Sequence, residues 1–108
     1  MPSVKSDNYA FQERMRCVEK MDKILEKLPK YCSDCLYYKL NGPKKAQPRT
    51  VLAYAGDYSV FFDYLKKKNP LCRDMEIVDI STDILANLTV DDIEEYYEYL
   101  AILALLLV

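Results

Sequence analysis

Apolar side chains recur every three or four positions from Phe11 to Leu28, with charged side chains between them. This is the period of an amphipathic helix, because residues three and four apart share one face. The pattern predicts a first helix over about residues 7–27, with Ser6 or Asp7 as its N-cap. Its inward face should consist of Phe11, Met15, Val18, Met21, Leu25 and Leu28.

A second helix is predicted over about residues 29–40. Pro29 suits the first turn of a helix, where a residue needs no intrahelical N–H bond. Gly42 and Pro43 should end this helix, because glycine accepts a left-handed conformation and proline cannot continue a helix. The positions that follow helical spacing within it are Cys32, Cys35, Leu36 and Leu40.

The third predicted helix runs from Pro48 to Lys68, before Asn69-Pro70 stops it. Its glycine, Gly56, should cost about 1 kcal/mol relative to alanine. Gly56 either permits close approach of another helix or ligand backbone, or is simply tolerated. The buried stripe of this helix should be Val51, Ala55, Tyr58, Phe62 and Leu65, flanked by Leu52 and Phe61.

Residues 81–88 predict a short helix, and Thr89 with Asp91 and Asp92 is a capping signal for a last helix. The apolar tail 101–108 is too short to span a bilayer, which needs about 20 residues. We expect a partner to cover the outer side of the tail, either a segment beyond residue 108 or a second copy of the chain. The inward face of the last helix should be Ile93, Tyr97, Leu100, Ala104 and Leu107.

The composition agrees with one all-α domain, a small bundle of four to five helices. The chain has 108 residues, of which two are glycine, and long stripes of period 3.6 dominate over strand-like alternation. It contains no histidine, which excludes Ser-His-Asp and Cys-His sites and zinc sites that use histidine. We therefore expect that this segment is not itself an enzyme and needs no cofactor or metal.

The four cysteines are Cys17, Cys32, Cys35 and Cys72. No signal peptide precedes them, so we expect a cytoplasmic chain with reduced thiols. Cys32 and Cys35 form a CxxC motif, which would suit half of a zinc site or a redox pair. Since the other two cysteines stand alone, the favoured interpretation is small apolar residues on helix faces; a zinc or thiol-redox protein is the alternative.

Charge is unevenly distributed along the chain, although its net value is only −2. Residues 39–68 carry seven basic and two acidic side chains, whereas residues 69–108 carry one basic and nine acidic side chains. A basic segment attracts anions even in an acidic protein, because the local potential steers them. Lys66, Lys67 and Lys68 also complement the negative C-terminus of the third helix.

The start of the third helix is a candidate phosphate site. Free N–H groups, the helix dipole and mobile cations converge at a helix N-terminus that lysines precede. The side chains placed there are Lys44, Lys45, Arg49 and Thr50. An ordinary solvated linker is the plainer interpretation of the same residues.

Three segments share an order and spacing with a known family. They are "QPRTVLAYAGDYSVFFDYL" (47–65), "DISTDILANLT" (79–89) and "TVDDIEEYYEYL" (89–100). In this order they resemble the N-terminal core-binding domain of tyrosine recombinases, the phage-integrase family. The resemblance covers about half of the chain, and residues 1–42 match only loosely.

The resemblance implies a SAM-like helical bundle that grips double-stranded recombination-site DNA for integration and recombination. Residues 1–42 would be a leading helical pair and residues 43–108 the core-binding helices, packed as one domain. Catalysis would belong to a separate C-terminal domain, which supplies an Arg-Lys-His-Arg cluster and a tyrosine nucleophile. That domain is an expected partner, and so are further copies of this chain assembled on DNA. No membrane partner is expected.

Carried over by position, the DNA contacts of the family fall on Arg49, Thr50, Ala53, Tyr54 and Asp57. Alanine and aspartate are poor DNA ligands. The predicted DNA-binding residues are therefore Lys44, Lys45, Arg49, Thr50 and Tyr54. The chain departs from the family pattern at Gln47, often a Ser or Thr cap, and at Gly56, usually a larger or basic residue.

A helical protein-interaction or dimerisation module is the alternative function. Its contact surface would be the acidic last helix and the apolar tail 101–108. Tyr96, Tyr97 and Tyr99 would suit stacking on bases, but their acidic neighbours repel nucleic acid. Helix packing is therefore the favoured role of these tyrosines.

Overall fold

The computed structural model of the chain describes residues 4–106, with side chains from residue 8 onward. Five α-helices and a 3₁₀ turn follow in order: α1 (Val4–Leu25), α2 (Lys30–Asn41), α3 (Pro48–Lys68), the turn Ile77–Asp79, α4 (Thr82–Ala86) and α5 (Val90–Leu106). No strand occurs between residues 4 and 106. The prediction of an all-α protein with four to five helices is confirmed.

α3 is the central helix, and it packs against both α1 and α2. The stripe predicted for it is confirmed, with Tyr58 half-buried and the other four members fully buried. Tyr64 is buried as well, although its position off the stripe gave no sign of this. The buried cluster joins α3 to Met21, Leu25, Leu28, Cys32, Leu36, Leu40, Cys72 and Ile80. Each large aliphatic or aromatic side chain buried in this way contributes about 1.5–3 kcal/mol.

Gly42 ends α2 as predicted, but not in the predicted conformation. Its φ of −79° and ψ of −173° are extended, so the expectation of a left-handed glycine was wrong. Its N–H donates to the carbonyl oxygen of Tyr38 at 2.7 Å. A Cβ at Gly42 would collide with the same carbonyl oxygen, and glycine is therefore required by the close approach rather than by φ.

The first half of α1 turns a different face inward from the predicted one. The helix begins at Val4, so Ser6 and Asp7 lie inside it and the predicted N-cap is wrong. Phe11 and Met15 are 62% and 47% exposed, which contradicts their predicted burial. Between residues 8 and 17, the residues turned inward are Glu13, Arg14 and Cys17. They follow helical spacing, but they lie about one residue round the helix from the apolar stripe, which joins the core only from Val18 onward.

α5 begins with the capping box that the sequence predicts. The N–H of Thr89 donates to Oδ2 of Asp92 at 2.8 Å, and the N–H of Asp92 donates to Oγ1 of Thr89 at 3.1 Å. These two bonds satisfy donors that a helix start otherwise leaves free.

The face of α5 that touches the bundle is aromatic. Tyr96 lies 4.9 Å from Phe61 and Tyr99 lies 5.0 Å from Tyr64, between ring centroids. The expectation that these two tyrosines pack against helices is confirmed, whereas Tyr97 is 65% exposed. The predicted inward face is wrong at Ile93, Tyr97 and Ala104, which are all exposed, because the larger aromatic rings take the contact with α3. Leu107 lies outside the described residues.

The segment between α3 and α5 is tied to the bundle by polar contacts. Lys66 Nζ donates to the carbonyl oxygens of Met75 at 2.7 Å and Arg73 at 3.3 Å. The hydroxyl of Tyr31 donates to the carbonyl oxygen of Ile80 at 2.7 Å. α4 is one short turn inside the predicted range 81–88. None of the helices described between residues 4 and 106 has the length and hydrophobicity needed to cross a membrane.

Candidate nucleic-acid interface

The N-terminus of α3 is open and carries no negative side chain of its own. Gln47 is its N-cap and makes no side-chain hydrogen bond to the helix, and Pro48 is its first residue. No acidic residue lies in its first turn. The linker before it is held in place because the N–H of Ala46 donates to the carbonyl oxygen of Lys39 at 2.9 Å. The first N–H groups of α3 therefore face a space that an anion can enter.

Arg49 lies at this end of α3 and pairs with Glu13 of α1. The Arg49 side chain is 75% exposed and the Glu13 side chain 27% exposed. Exposed ion pairs contribute only about 0–1 kcal/mol. Arg49 can therefore exchange the carboxylate for a phosphate at small cost.

A cleft of about 630 Å³ lies between the first half of α1 and the start of α3. Arg14 reaches it from α1 and donates through Nη2 to Oδ1 of Asn41 at 2.6 Å. This bond ties α1 to the end of α2 and fixes the arginine beside the linker. The residues that line the cleft are Ala10, Glu13, Arg14, Gln47, Pro48, Arg49 and Thr50.

A second, smaller cleft of about 250 Å³ shares Arg49 with the first. Arg16 and Lys20 of α1 line it beside Arg49. Sequence reasoning missed both residues, since residues 1–38 are nearly balanced in charge. The signal that would have found them is their spacing of four, which places both on one face of α1.

Tyr54 lies one turn further along α3 and faces a cation. Lys39 Nζ of α2 lies 5.8 Å from the centroid of the Tyr54 ring, within the range of a cation–π contact. Tyr54 is 39% exposed. Lys39 and Lys44 also line a cleft of about 360 Å³ with Cys35, Tyr38 and Pro43.

The predicted residues therefore lie at one end of the bundle, with four unpredicted basic residues beside them. Lys44, Lys45, Arg49 and Thr50 are all exposed. We name the positive side chains of this region the basic surface: Arg14, Arg16, Lys20, Lys39, Lys44, Lys45 and Arg49. Lys66, by contrast, is engaged with the loop at 73–75 at the other end of α3.

The outer face of α3 continues this surface. Ala53 and Asp57 are exposed next to Tyr54, as expected for residues that face away from the core. Gly56 has no atom within 4 Å of the position of a Cβ. No helix among residues 8–106 approaches it, which agrees with a tolerated glycine and not with close approach by another helix.

Cys17, Cys32 and Cys35 lie on helix faces as expected, whereas Cys72 lies in the turn after α3. All but Cys35 are buried. Burial raises the pKa of the Cys32 thiol to about 11, so this thiol is protonated at neutral pH. Cys35 is exposed, with its sulfur 3.9 Å from the hydroxyl oxygen of Tyr58. Burial, followed by this contact, raises the pKa of Tyr58 to about 12. Between residues 8 and 106, no group of three or more cysteine or carboxylate side chains is placed to hold a metal ion.

Compared with known proteins, the chain matches no family model, no curated protein and no solved structure. The resemblance to tyrosine recombinases therefore rests on the three sequence segments alone.

Proposed function

We propose that the chain binds double-stranded DNA through the basic surface, as the core-binding domain of a tyrosine recombinase. The observation that carries this proposal is the convergence of seven basic side chains around the open N-terminus of α3. They come from α1, α2 and the linker before α3 as well as from α3 itself. A surface assembled from separate elements is a more specific feature than one run of lysines.

Electrostatics support DNA as the partner. The carboxylate of Glu13 lies within the basic surface and pairs with Arg49, while the nine acidic side chains of residues 69–108 belong to the segment after α3. The local field at this end of the bundle therefore favours an anion, despite the net charge of −2. Long, exposed lysine and arginine side chains match the phosphate backbone of a duplex.

The contacts should be mainly to phosphates. Arg49 and Thr50 stand beside the first N–H groups of α3, and Tyr54 stands one turn on. Asp57 follows on the same outer face. Its carboxylate would repel the phosphate backbone of a duplex that lay along this part of α3. Phosphate contacts position a protein on DNA without reading its sequence, so this segment alone should bind different sequences with similar affinity.

The recombinase assignment adds a role to this binding. Three quoted segments fall on α3, on α4 with its flanks, and on the capped start of α5. This order of helices is the one expected of a SAM-like bundle in which the N-terminus of the third helix contacts DNA. The proposed role is to grip one face of the recombination site, while a separate catalytic domain cuts and joins the strands.

The experiment is a titration of a labelled duplex, followed by fluorescence anisotropy, with three forms of the chain. The test variant is K44A/K45A/R49A, and the matched control is K27A/K30A/K68A. The control removes the same charge from exposed positions outside the basic surface. We expect the test variant to bind at least about tenfold more weakly, because three phosphate contacts are lost, and the control to bind like the parent.

Equal weakening of both variants would mean that net charge, not this surface, governs binding. Parent-like binding by the test variant would overturn the proposed site. Circular dichroism of both variants checks that they fold, which the exposure of all six positions predicts.

A further inference from the structure

α5 leaves an apolar face uncovered along its whole length. Val90 is 74% exposed, Tyr97 is 65% exposed and Leu105 is 77% exposed. Ile93, Ala101 and Ala104 are exposed on the same side, and Leu100 is half-buried at its edge. A single exposed leucine is ordinary, but a continuous apolar stripe on an exposed helix marks a contact surface.

The spacing of this stripe fits another helix as its partner. Val90, Tyr97 and Ala104 are seven residues apart, and Ile93 and Leu100 are seven residues apart between them. This is the a and d pattern of a heptad repeat, which packs one helix against a second. The helix is 17 residues long, so the repeat spans little more than two heptads and supports a modest interface.

Charge along α5 sets the orientation of the partner. The first half of the helix carries Asp91, Asp92, Glu94, Glu95 and Glu98 and no basic residue, and residues 99–106 carry no charge. Two parallel copies would bring the acidic halves together, and like charges within about 10 Å repel. Two antiparallel copies place each acidic half beside the uncharged half of the other.

Side-chain size agrees with the antiparallel arrangement. In an antiparallel heptad pair, a positions face d positions of the other helix. Ile93 would then face Ala104 of the second copy, and Tyr97 would face Leu100. A large side chain meets a small one in one layer, and the aromatic ring covers an aliphatic side chain in the other, so both layers can fill the space between the helices.

We propose that α5 pairs with α5 of a second copy of this chain in antiparallel orientation, forming a twofold-symmetric dimer. The contact is the same patch on both copies, so it closes without growing further. α5 packs on the C-terminal half of α3, while the basic surface lies at the N-terminus of α3. The dimer therefore leaves both basic surfaces accessible, and it does not depend on the proposed DNA binding.

Sedimentation equilibrium of the full chain over a range of concentrations tests the pairing. We expect a monomer–dimer equilibrium that 0.5 M salt does not weaken, since the contact is apolar and its neighbouring charges repel. Y97E should weaken association at least about tenfold by placing a charge in the contact. Y38E is the matched control, because Tyr38 is 69% exposed on α2, and it should associate like the parent.

A parent that stays monomeric up to about 1 mM would overturn the proposal, with the face then covered by something other than a second copy. Equal association of Y97E and the parent would overturn it as well. Loss of the dimer in high salt would show a different, ionic contact between copies.

Disulfide trapping tests the orientation. In a C35S background, which removes the exposed native thiol, I93C mixed with A104C should form a mixed disulfide dimer on mild oxidation. Each variant alone should crosslink little. Efficient crosslinking of each variant with itself would indicate parallel helices and contradict the antiparallel arrangement.

Discussion

α3 and α5 both carry an apolar stripe of helical period, but only the stripe of α3 is buried. The stripe of α3 lies between α1 and α2. The matching stripe of α5 faces outward, and Tyr96 and Tyr99, on another face of α5, make its contact with α3. Periodicity shows that a helix has an apolar face; it does not show which neighbour covers that face. Where two faces compete, the one with the larger aromatic area gains more from burial.

The strongest test of this comparison is a substitution that creates a cavity at the buried stripe of α3. Phe62 is 3% exposed and contacts Phe61 and Tyr31 within the core. F62A should lower the free energy of unfolding by about 3–5 kcal/mol, from lost burial and an unfilled cavity. Urea denaturation followed by circular dichroism measures the change. A loss below about 1 kcal/mol would mean that α3 is not the centre of the core.

A second test sharpens the comparison within α5. Tyr96 lies against Phe61 and Tyr64, and its neighbour Tyr97 is largely exposed. Y96A should cost about 2 kcal/mol, because it removes the aromatic contact with α3, while Y97A should change stability by less than about 0.5 kcal/mol. The same denaturation measurement applies, at a protein concentration where the chain is monomeric. A larger loss of stability for Y97A than for Y96A would mean that the face of α5 with Tyr97, and not the face with Tyr96, contacts the bundle.

The smallest expected effect has the opposite sign. Gly56 is helical, and a Cβ there meets no atom within 4 Å. G56A should therefore stabilise the protein by about 0.5–1 kcal/mol, because alanine loses less backbone entropy in a helix. An increase in the urea midpoint with an unchanged slope would agree with this. A decrease would show that something approaches Gly56 in solution.

The sequence predicted best those features that depend on neighbouring residues. The bounds of α3 follow from Pro48 and Asn69, and the capping box at Thr89 follows from Asp92 three positions on. Both predictions depend only on the backbone chemistry of residues that are close together in the sequence.

Features that depend on distant packing were not predictable. Phe11 and Met15 continue the stripe of α1, yet a polar face with Glu13 and Arg14 lies toward α3. In the same way, Arg16 and Lys20 belong to the candidate site only because α1 and the start of α3 are adjacent. Their spacing of four places Arg16 and Lys20 on one face of α1, but only the folded chain shows that this face lies beside the start of α3.

The central claim is that the basic surface binds the phosphate backbone of DNA. The most direct test is the salt dependence of the parent chain's affinity for a duplex, from about 50 to 200 mM salt. With three to five phosphate contacts, log K against log salt should fall with a slope of about −2.7 to −4.5. A slope near zero, or no binding at the lowest salt, would contradict the claim.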